Sequence, residues 1–439
     1  MNQLLKIGMT VQTEDSVRSC RVEQFLGGGG QGEVYRATLD GAPVALKWYF
    51  PAQATAQQQR NLQLLIAKGA PTARFLWPLA LAVSPEANGF GYLMPLREPR
   101  YHSIVDLMKR RIEPSFRILA TAGLELVHSF LELHARGLCY QDISFGNVCF
   151  DPTSGEVLIG DNDNVSVDGE TGGGVLGTPR FIAPEVVRGE AAPSTQTDLF
   201  SLAVLLFYMF MIHHPLEGSK EAAIRCFDLP AMTRLYGTEP VFIFDPADDS
   251  NRPLPGYHDN ALVFWPIYPE FFRALFTRAF TEGIRDPLHG RVRESEWRAA
   301  LAQLRDLIVY CARCGAENVY DPGTGQSAVQ TPGICWSCRQ PLRWPPRLHI
   351  GRQVITLNHD SRLFPHHLEQ QFYDFSTAQA TVTQHPDNPA IWGLKNLTDR
   401  NWVITLDGGT IKEVEPGRSV TLAAGTRINF GGVEGDIRC

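Results

Sequence analysis

The chain lacks the features that would direct it to a membrane or onto nucleic acid. Its first residues, Met1 to Lys6, hold no basic run ahead of a long apolar stretch, so no secretory leader is expected. No apolar run is long enough to cross a bilayer; the most apolar segment, Leu199 to Ile212, reads as one buried helix. Positive charge is not in excess. The 40 Lys and Arg are outnumbered by 47 Asp and Glu, for a formal net charge of −7. That balance argues against broad nucleic-acid binding, which needs clustered cations to replace counterions on phosphates. Repeats are absent, and low complexity is confined to two glycine clusters, 27–30 and 172–174. A cytoplasmic protein with no membrane or nucleic-acid partner is the expectation. The remainder is ordinary for a globular chain: 439 residues, 44% hydrophobic and 20% charged, enough for two to four domains.

The nine cysteines do not form a disulfide framework, because their number is odd and their spacing uneven. Cys20, Cys139, Cys149, Cys226 and Cys439 are scattered, as reduced thiols would be. Cys311, Cys314, Cys335 and Cys338 form two Cys-x-x-Cys pairs separated by 20 residues. Four thiolates at that spacing supply a closed tetrahedral site, so a structural zinc ribbon is expected, with no open position for catalysis.

Hydrophobic patterning divides the chain. Arg21 to Leu26, Glu33 to Leu39 and Ala42 to Tyr49 read as strands between glycine turns, residues 55–68 as one helix, and Gly91 to Leu96 as another strand. From Tyr101 helical periodicity dominates, as in Ile118 to Ala135 and Asp198 to Ile212, with a last helix over Glu296 to Val309. Pro341, Pro345 and Pro346 mark a stiff linker. The tail is rich in Val, Thr, Ile and turn glycines, with strands at Trp402 to Leu406, Ser419 to Leu422 and Arg427 to Phe430. The expected boundaries are therefore 1–97 (mostly β), 98–309 (helical), 310–340 (zinc ribbon), 341–347 (linker) and 348–439 (all-β).

Five short motifs follow one another in fixed order: Leu26 to Tyr35 (Leu-Gly-Gly-Gly-Gly-Gln-Gly-Glu-Val-Tyr), Val44 to Lys47 (Val-Ala-Leu-Lys), Tyr140 to Asn147 (Tyr-Gln-Asp-Ile-Ser-Phe-Gly-Asn), Gly160 to Asp163 (Gly-Asp-Asn-Asp) and Ala183 to Glu185 (Ala-Pro-Glu). Gly27, Gly29 and Gly32 fall at G-x-G-x-x-G spacing, where backbone N–H groups approach phosphate oxygens without an obstructing Cβ. A strand continues after them, whereas a dinucleotide fold would place a helix there. Over residues 20–305 this order resembles the protein-kinase superfamily. The resemblance implies an α+β bilobal kinase fold, followed here by the ribbon and an all-β sandwich.

The resemblance also implies roles. ATP would lie against Gly27, Gly28, Gly29, Gly30, Gly32, Val34, Ala45, Lys47, Met94 and Leu96, with Lys47 on the α- and β-phosphates. Asp142 would accept or orient the acceptor hydroxyl's proton, and Asn147 and Asp161 would bind Mg2+. Glu185 would pair with Arg291, and Asp198 would anchor the catalytic-loop backbone; both are structural positions. Ala183-Pro184-Glu185 points to a protein substrate, and Thr178 to a serine or threonine acceptor.

Several family groups are replaced. The helix over 55–68 contains no acidic residue, so Gln63 or Gln59 is the expected partner of Lys47. Tyr140-Gln141 stands before Asp142 in place of His-Arg, which implies activation without a phosphate on the loop Asn164 to Leu176 (with Ser166 and Thr171). Ser144 replaces a lysine that clamps the γ-phosphate. Asn162 and Asp163 follow Asp161 in place of Phe-Gly, and Asp163 is expected to cap a turn, the alternative being an added metal contact.

In the tail, Gly351-Arg352, Ser361-Arg362, Gly393 to Thr398 and Gly425 to Gly431 resemble a forkhead-associated β-sandwich. That likeness nominates Arg352, Ser361 and Asn401 for phosphothreonine recognition, beside the alternative of a docking domain. With Phe75 to Pro78 and Gly91 to Pro95, the whole is similar to kinases associated with metal-dependent phosphatases and von Willebrand A-type proteins, as in tellurite-resistance triads. The expected function is an ATP- and Mg2+-dependent Ser/Thr protein kinase; the alternative is a nucleotide-binding pseudokinase scaffold that recruits partners through the ribbon and tail.

Overall fold

Six strands account for the β-rich start of the chain: β1 (Thr10–Thr13), β2 (Ser19–Gly28), β3 (Gly32–Leu39), β4 (Ala42–Tyr49), β5 (Ala80–Val83) and β6 (Gly91–Pro95). All pair antiparallel and close into a barrel in the order β1-β2-β3-β4-β6-β5. Alternate side chains go to opposite faces of a strand. One face buries Val22, Tyr35, Leu46, Trp48 and Leu93. The other buries Ala45, Tyr49, Tyr92 and Met94, with Leu62 from helix α1 (Ala56–Lys68). Hence β4 is buried continuously from Val44 to Tyr49, despite its strand periodicity. Thr55 caps α1 by accepting the Gln58 N–H, and Gly69, at φ 69°, ends it.

The computed structural model describes residues 3–15, 17–169, 177–321, 333–369 and 371–439. Thr171 and Gly172–Gly174 of the expected loop lie outside the described residues, whereas Ser166 forms a short strand with Val167 opposite Leu138 and Cys139. The chain divides into two units: one of Met1–Pro114, Thr121–Leu262 and Ala274–Arg298, the other of Ser115–Ala120, Val263–Arg273 and Ala299–Cys439.

In the first unit, helix Thr195–Met211 opens on a capping box between Ser194 and Thr197 and is buried at every residue from Thr197 to Met211, as its apolar run requires. A small antiparallel hairpin, Val148–Phe150 with Val157–Ile159, brings two motifs together. Residues 142–147 lead into its first strand and 160–163 leave its second, joined by Gly160 N–H donating to Asn147 O at 2.7 Å.

The last helix of the helical region, Glu294–Asp306, begins in the first unit, continues in the second from Ala299, and ends three residues before Val309. The β-branched run after it forms strand Ile308–Tyr310, antiparallel to Glu317–Val319. The proline-marked segment is not a bare spacer. Pro341 bridges to Ile334, and Leu342 packs against Cys311 and Cys335. Beyond it stand a six-stranded and a four-stranded antiparallel sheet, which share one cluster that includes Leu348, Leu394, Trp402 and Ile428. Thr356 Oγ1 and Asn358 Nδ2 donate to Ile308 O at 2.6 and 2.7 Å, tying these sheets to the chain before the cysteines.

Candidate active site

The glycine turn between β2 and β3 is closed by Gly29 N–H donating to Gly32 O at 2.9 Å. A Cβ at Gly32 would meet Trp48 O at 2.2 Å, so the close pairing of β3 with β4 requires glycine. Nothing stands within 4 Å of a Cβ built on Gly27, Gly29 or Gly30, which leaves the backbone above the turn open. Val34, Ala45, Met94 and Leu96 gather in one apolar cluster below it.

Lys47, on β4, is buried and points at two carboxylates. Its Nζ lies 3.0 and 2.8 Å from the two Asp163 oxygens and 3.6 Å from Asp161 Oδ1. It also donates to Gln31 Oε1 at 3.0 Å. Burial works against the Lys47 charge, yet Asp163 and Asp161 outweigh it and hold the ammonium above the usual lysine range. The Asp163 side chain has no exposed surface. It accepts from Tyr49 OH at 2.5 Å and Tyr92 OH at 3.1 Å as well as from Lys47. Burial opposes its ionisation, but Lys47 and the two hydroxyls prevail, so its carboxyl stays below the usual range.

This corrects two sequence expectations. Asp163 is not a turn cap, and neither Gln63 nor Gln59 reaches Lys47. Gln63 Nε2 donates to Glu14 Oε1 and Oε2 at 3.0 and 3.1 Å, and Gln59 Nε2 to Glu14 Oε1 at 3.0 Å. Helical geometry explains it, since residues 59 and 63 share one face of α1 and that face meets Glu14. The residues of α1 that meet the site are Gln58, which donates to Tyr49 OH and Asp163 O at 3.0 Å each, and Asn61, which donates to Asp163 O at 3.2 Å and Val165 O at 3.0 Å. The available signal was a pair of facts: a helix with no acid, and a second acid two residues after Asp161.

Asp161 takes the left-handed conformation (φ 44°, ψ 43°) ahead of a single tight turn over Asn162–Asn164. Its side chain is about half exposed (46%). Partial burial, and the like charges of Asp163 and Asp142, raise its carboxyl above the usual range. Asp142 Oδ1 accepts from Thr178 Oγ1 at 2.6 Å. Asn147 Nδ2 donates to Asp142 O at 2.8 Å and Oδ2 at 3.1 Å, turning its own Oδ1 the other way. Gly177 (φ 101°) holds the approach of Thr178; a Cβ there would lie 2.8 Å from Gln141 O. A hard divalent cation is suited to this donor set of carboxylates and an amide oxygen.

The support is built of paired charges. Asp198 accepts from Tyr140 N at 2.5 Å and Gln141 N at 3.0 Å. Its Oδ2 also lies 3.2 Å from His134 Nε2, and His134 Nδ1 contacts Glu294. Burial would lower the His134 pKa, but the two carboxylates raise it to about 9. Sequence reasoning did not single out His134. Arg291 Nη2 meets Glu185 at 2.6 and 2.8 Å, both side chains nearly buried. Gln141, where the family arginine is missing, donates through Nε2 to Ser166 Oγ at 2.5 Å.

In the second unit the four cysteine sulfurs lie within 4.8 Å of one another. The two turns repeat each other: Gly315 N–H donates to Cys311 O and Arg339 N–H to Cys335 O, with Gly315 and Arg339 both left-handed (φ 75° and 58°). Backbone N–H groups of Cys314 and Arg313 lower the Cys311 thiol pKa. Four convergent thiols, with Cys311 and Cys335 acidified by neighbouring N–H groups, fit zinc. A second cluster, Asp306, His366 and His367, does not fit a metal. Each imidazole accepts a backbone N–H at Nδ1, from Tyr373 and Phe364, which puts the ring proton on Nε2 and leaves no lone pair there.

The three phosphothreonine candidates do not act together. Ser361 is 2% exposed; its Oγ accepts from Asn358 N–H and donates to Thr356 O, so it cannot meet a phosphate. Asn401 Nδ2 is bonded to Glu413 at 2.7 Å. Arg352 is exposed, in the turn between strands Arg347–Ile350 and Gln353–Thr356.

The first unit thus gathers a glycine turn, a buried lysine and a carboxylate–amide cluster. Residues 93–252 match the family model of the protein kinase domain. Over that stretch the chain is similar to the protein kinase domain. It is 32% identical over 120 residues to a probable serine/threonine-protein kinase of Zea mays, covering 27% of this chain and 19% of that protein. It is 29% identical over 215 residues to the DNA damage-responsive serine/threonine-protein kinase RqkA of Deinococcus radiodurans, covering 46% and 31%. It is 31% identical over 148 residues to the serine/threonine-protein kinase PLK1 of Xenopus laevis, covering 32% and 24%. The matched stretches span less than a third of each of these relatives. Among the described residues, no helix is long and apolar enough to cross a membrane.

Proposed function

We propose that the protein is a cytoplasmic ATP- and Mg2+-dependent Ser/Thr protein kinase, with a structural zinc ribbon and a forkhead-associated-like β-sandwich that serves as a docking domain. The observation that carries the reading is Asp142, held by Asn147 and Thr178 close to the Lys47–Asp161 pair. Asp142 orients the acceptor hydroxyl and takes its proton as the new O–P bond forms and the bond to the β-phosphate oxygen breaks, releasing ADP. Lys47 holds the α- and β-phosphates. Asp161 and Asn147 are the residues that would hold Mg2+, which supplies charge neutralisation at the phosphates. Positioning and electrostatics account for most of such a reaction, so this short set of groups suffices. A metal-dependent phosphatase and a von Willebrand A-type protein are the partners that the tellurite-triad likeness suggests.

The test is transfer of labelled phosphate from ATP with Mg2+, comparing the natural chain with Asp142→Ala and Asp161→Ala. Label on the chain or on a generic protein substrate, lost by at least about a hundredfold in both variants, is the expected result. Equal labelling in all three chains would leave only the scaffold reading.

A further inference from the structure

A lysine that holds phosphates needs a fixed counter-charge, because its long side chain is otherwise free and a buried ammonium is costly. Kinases usually take that charge from a glutamate on the helix after the lysine strand. Here α1 offers none, and the charge comes from the opposite direction. Asp163 lies 116 residues beyond Lys47 in the chain, and both of its carboxylate oxygens accept from Lys47 Nζ. Every contact around that carboxylate is a donor: Lys47 Nζ, Tyr49 OH and Tyr92 OH. Such a fully satisfied buried anion is a built anchor, since one left unpaired would not stay ionised.

The helix has the reverse role. Gln58 and Asn61 lend only neutral N–H groups, and these reach the Asp163 backbone carbonyl and the Tyr49 hydroxyl. So α1 is latched to the turn that carries the charge, while Lys47 is gripped by that turn directly. Asp161 heads the same turn. The lysine and the metal-binding carboxylate are thereby set by one three-residue element.

We propose that Asp163 is the positioning residue for Lys47, a carboxylate moved from the helix to the metal-binding turn, so that displacement of α1 does not unpair the lysine. The inference rests on the proposed ATP-binding role of Lys47.

The test moves the charge. Four variants are compared with the natural chain: Asp163→Asn, which keeps volume; Asp163→Ala; and Asp163→Ala combined with Gln58→Glu or with Gln63→Glu. Readouts are KM for ATP against kcat, melting temperature, and the dissociation constant of a fluorescent ATP analogue with Mg2+. Asp163→Asn and Asp163→Ala are expected to lower kcat/KM for ATP by about a hundredfold, with KM raised, because a buried charge loses its partner. Gln58→Glu, next to the vacated space, is expected to recover at least about tenfold of that loss, and Gln63→Glu, on the Glu14 face, none. A KM and a nucleotide dissociation constant within about twofold of the natural chain in both single variants would overturn the proposal, as would equal effects of Gln58→Glu and Gln63→Glu. If the natural chain transfers no phosphate, the kinase reading fails by itself. The dissociation constants then still decide whether Asp163 positions the lysine for nucleotide.

Discussion

Asp163 and the cysteine quartet are both crowded, potentially anionic centres, and they solve that problem differently. Asp163 finds its counter-charge inside the chain, in Lys47, with two phenol hydroxyls completing its shell. The cysteines bring four thiols within 4.8 Å, yet the donors around them are neutral: Asn318 Nδ2 at 3.6 Å from Cys335, and backbone N–H groups at Cys311. Neutral donors lower a thiol pKa but cannot offset several thiolates in van der Waals contact. The cation is built in for the first case, whereas in the second a bound metal ion would have to supply it. An anion with a lysine facing it reads as positioning; anions that face only each other read as a metal site.

That contrast is broken most sharply by removing the supposed cation. The chain is expected to hold one zinc, and Cys335→Ser or a strong chelator should cost the cysteine-rich segment on the order of 10 kcal/mol of folding free energy. Hydrogen exchange reads this locally: Trp336 N–H, which donates to Asn318 Oδ1 at 3.1 Å, should lose its protection. A zinc-free chain with Trp336 still protected would mean that the quartet, like Asp163, is stabilised from within.

The sequence was most informative where chemistry sits in short local segments. Lys47, Asp142, Asn147 and Asp161 each lie in a motif whose own backbone sets their direction, and the hairpin Val148–Phe150/Val157–Ile159 converts spacing into proximity. Even Glu185 and Arg291, 106 residues apart, were foreseen through the resemblance, because each belongs to a recognisable segment. Asp163 was not foreseen, since its role arises from a tertiary exchange: an acid lost from one element and gained on another. Helix periodicity places Gln59 and Gln63 on one face but does not say which face meets Lys47. The segment 341–347 misled for a different reason. Prolines predict stiffness, but a single leucine among them, Leu342, is enough to dock the stretch on the cysteine cluster. Ser361 likewise matches a motif in sequence, while its burial depends on Asn358 and Thr356 turning back over it.

His134 sharpens the same contrast, because it is a built-in cation that pH can remove. It stands between Asp198 and Glu294 with its pKa raised from 6.5 to about 9. A group whose folded pKa lies above its unfolded value stabilises the fold fully below the unfolded value. That stabilisation is lost as pH rises through the folded one. The window is therefore pH 6.5 to about 9, and the shift corresponds to about 3 kcal/mol. Above it, the neutral imidazole keeps one ring proton and can donate to only one of the two carboxylates, so Asp198 loosens its hold on Tyr140 and Gln141. The natural chain should lose melting temperature between pH 6.5 and 9.5, and His134→Asn should show a flatter profile over that range. Parallel profiles for the two chains would count against the imidazolium.

The smallest effect is expected where groups of opposite character were never brought together. Arg352 borders a cavity of about 280 Å³ with Asp306, Gln353, His366 and Tyr373 among its walls. Its nearest companions from the phosphothreonine reading are committed elsewhere, Ser361 to the backbone of Thr356 and Asn401 to Glu413. A phosphate read by one exposed guanidinium gains little, because water and salt screen the contact and the long side chain must be ordered to make it. A phosphothreonine peptide should therefore bind the natural chain and Arg352→Ala within about threefold of each other, and no more tightly than its unphosphorylated form. A tenfold weakening specific to the phosphorylated peptide would instead mean that Arg352 has a buried partner on the peptide side. The tail would then resemble the Lys47 site, as a charge waiting for its counter-charge, rather than the closed, self-satisfied surface that its hydrogen bonds describe.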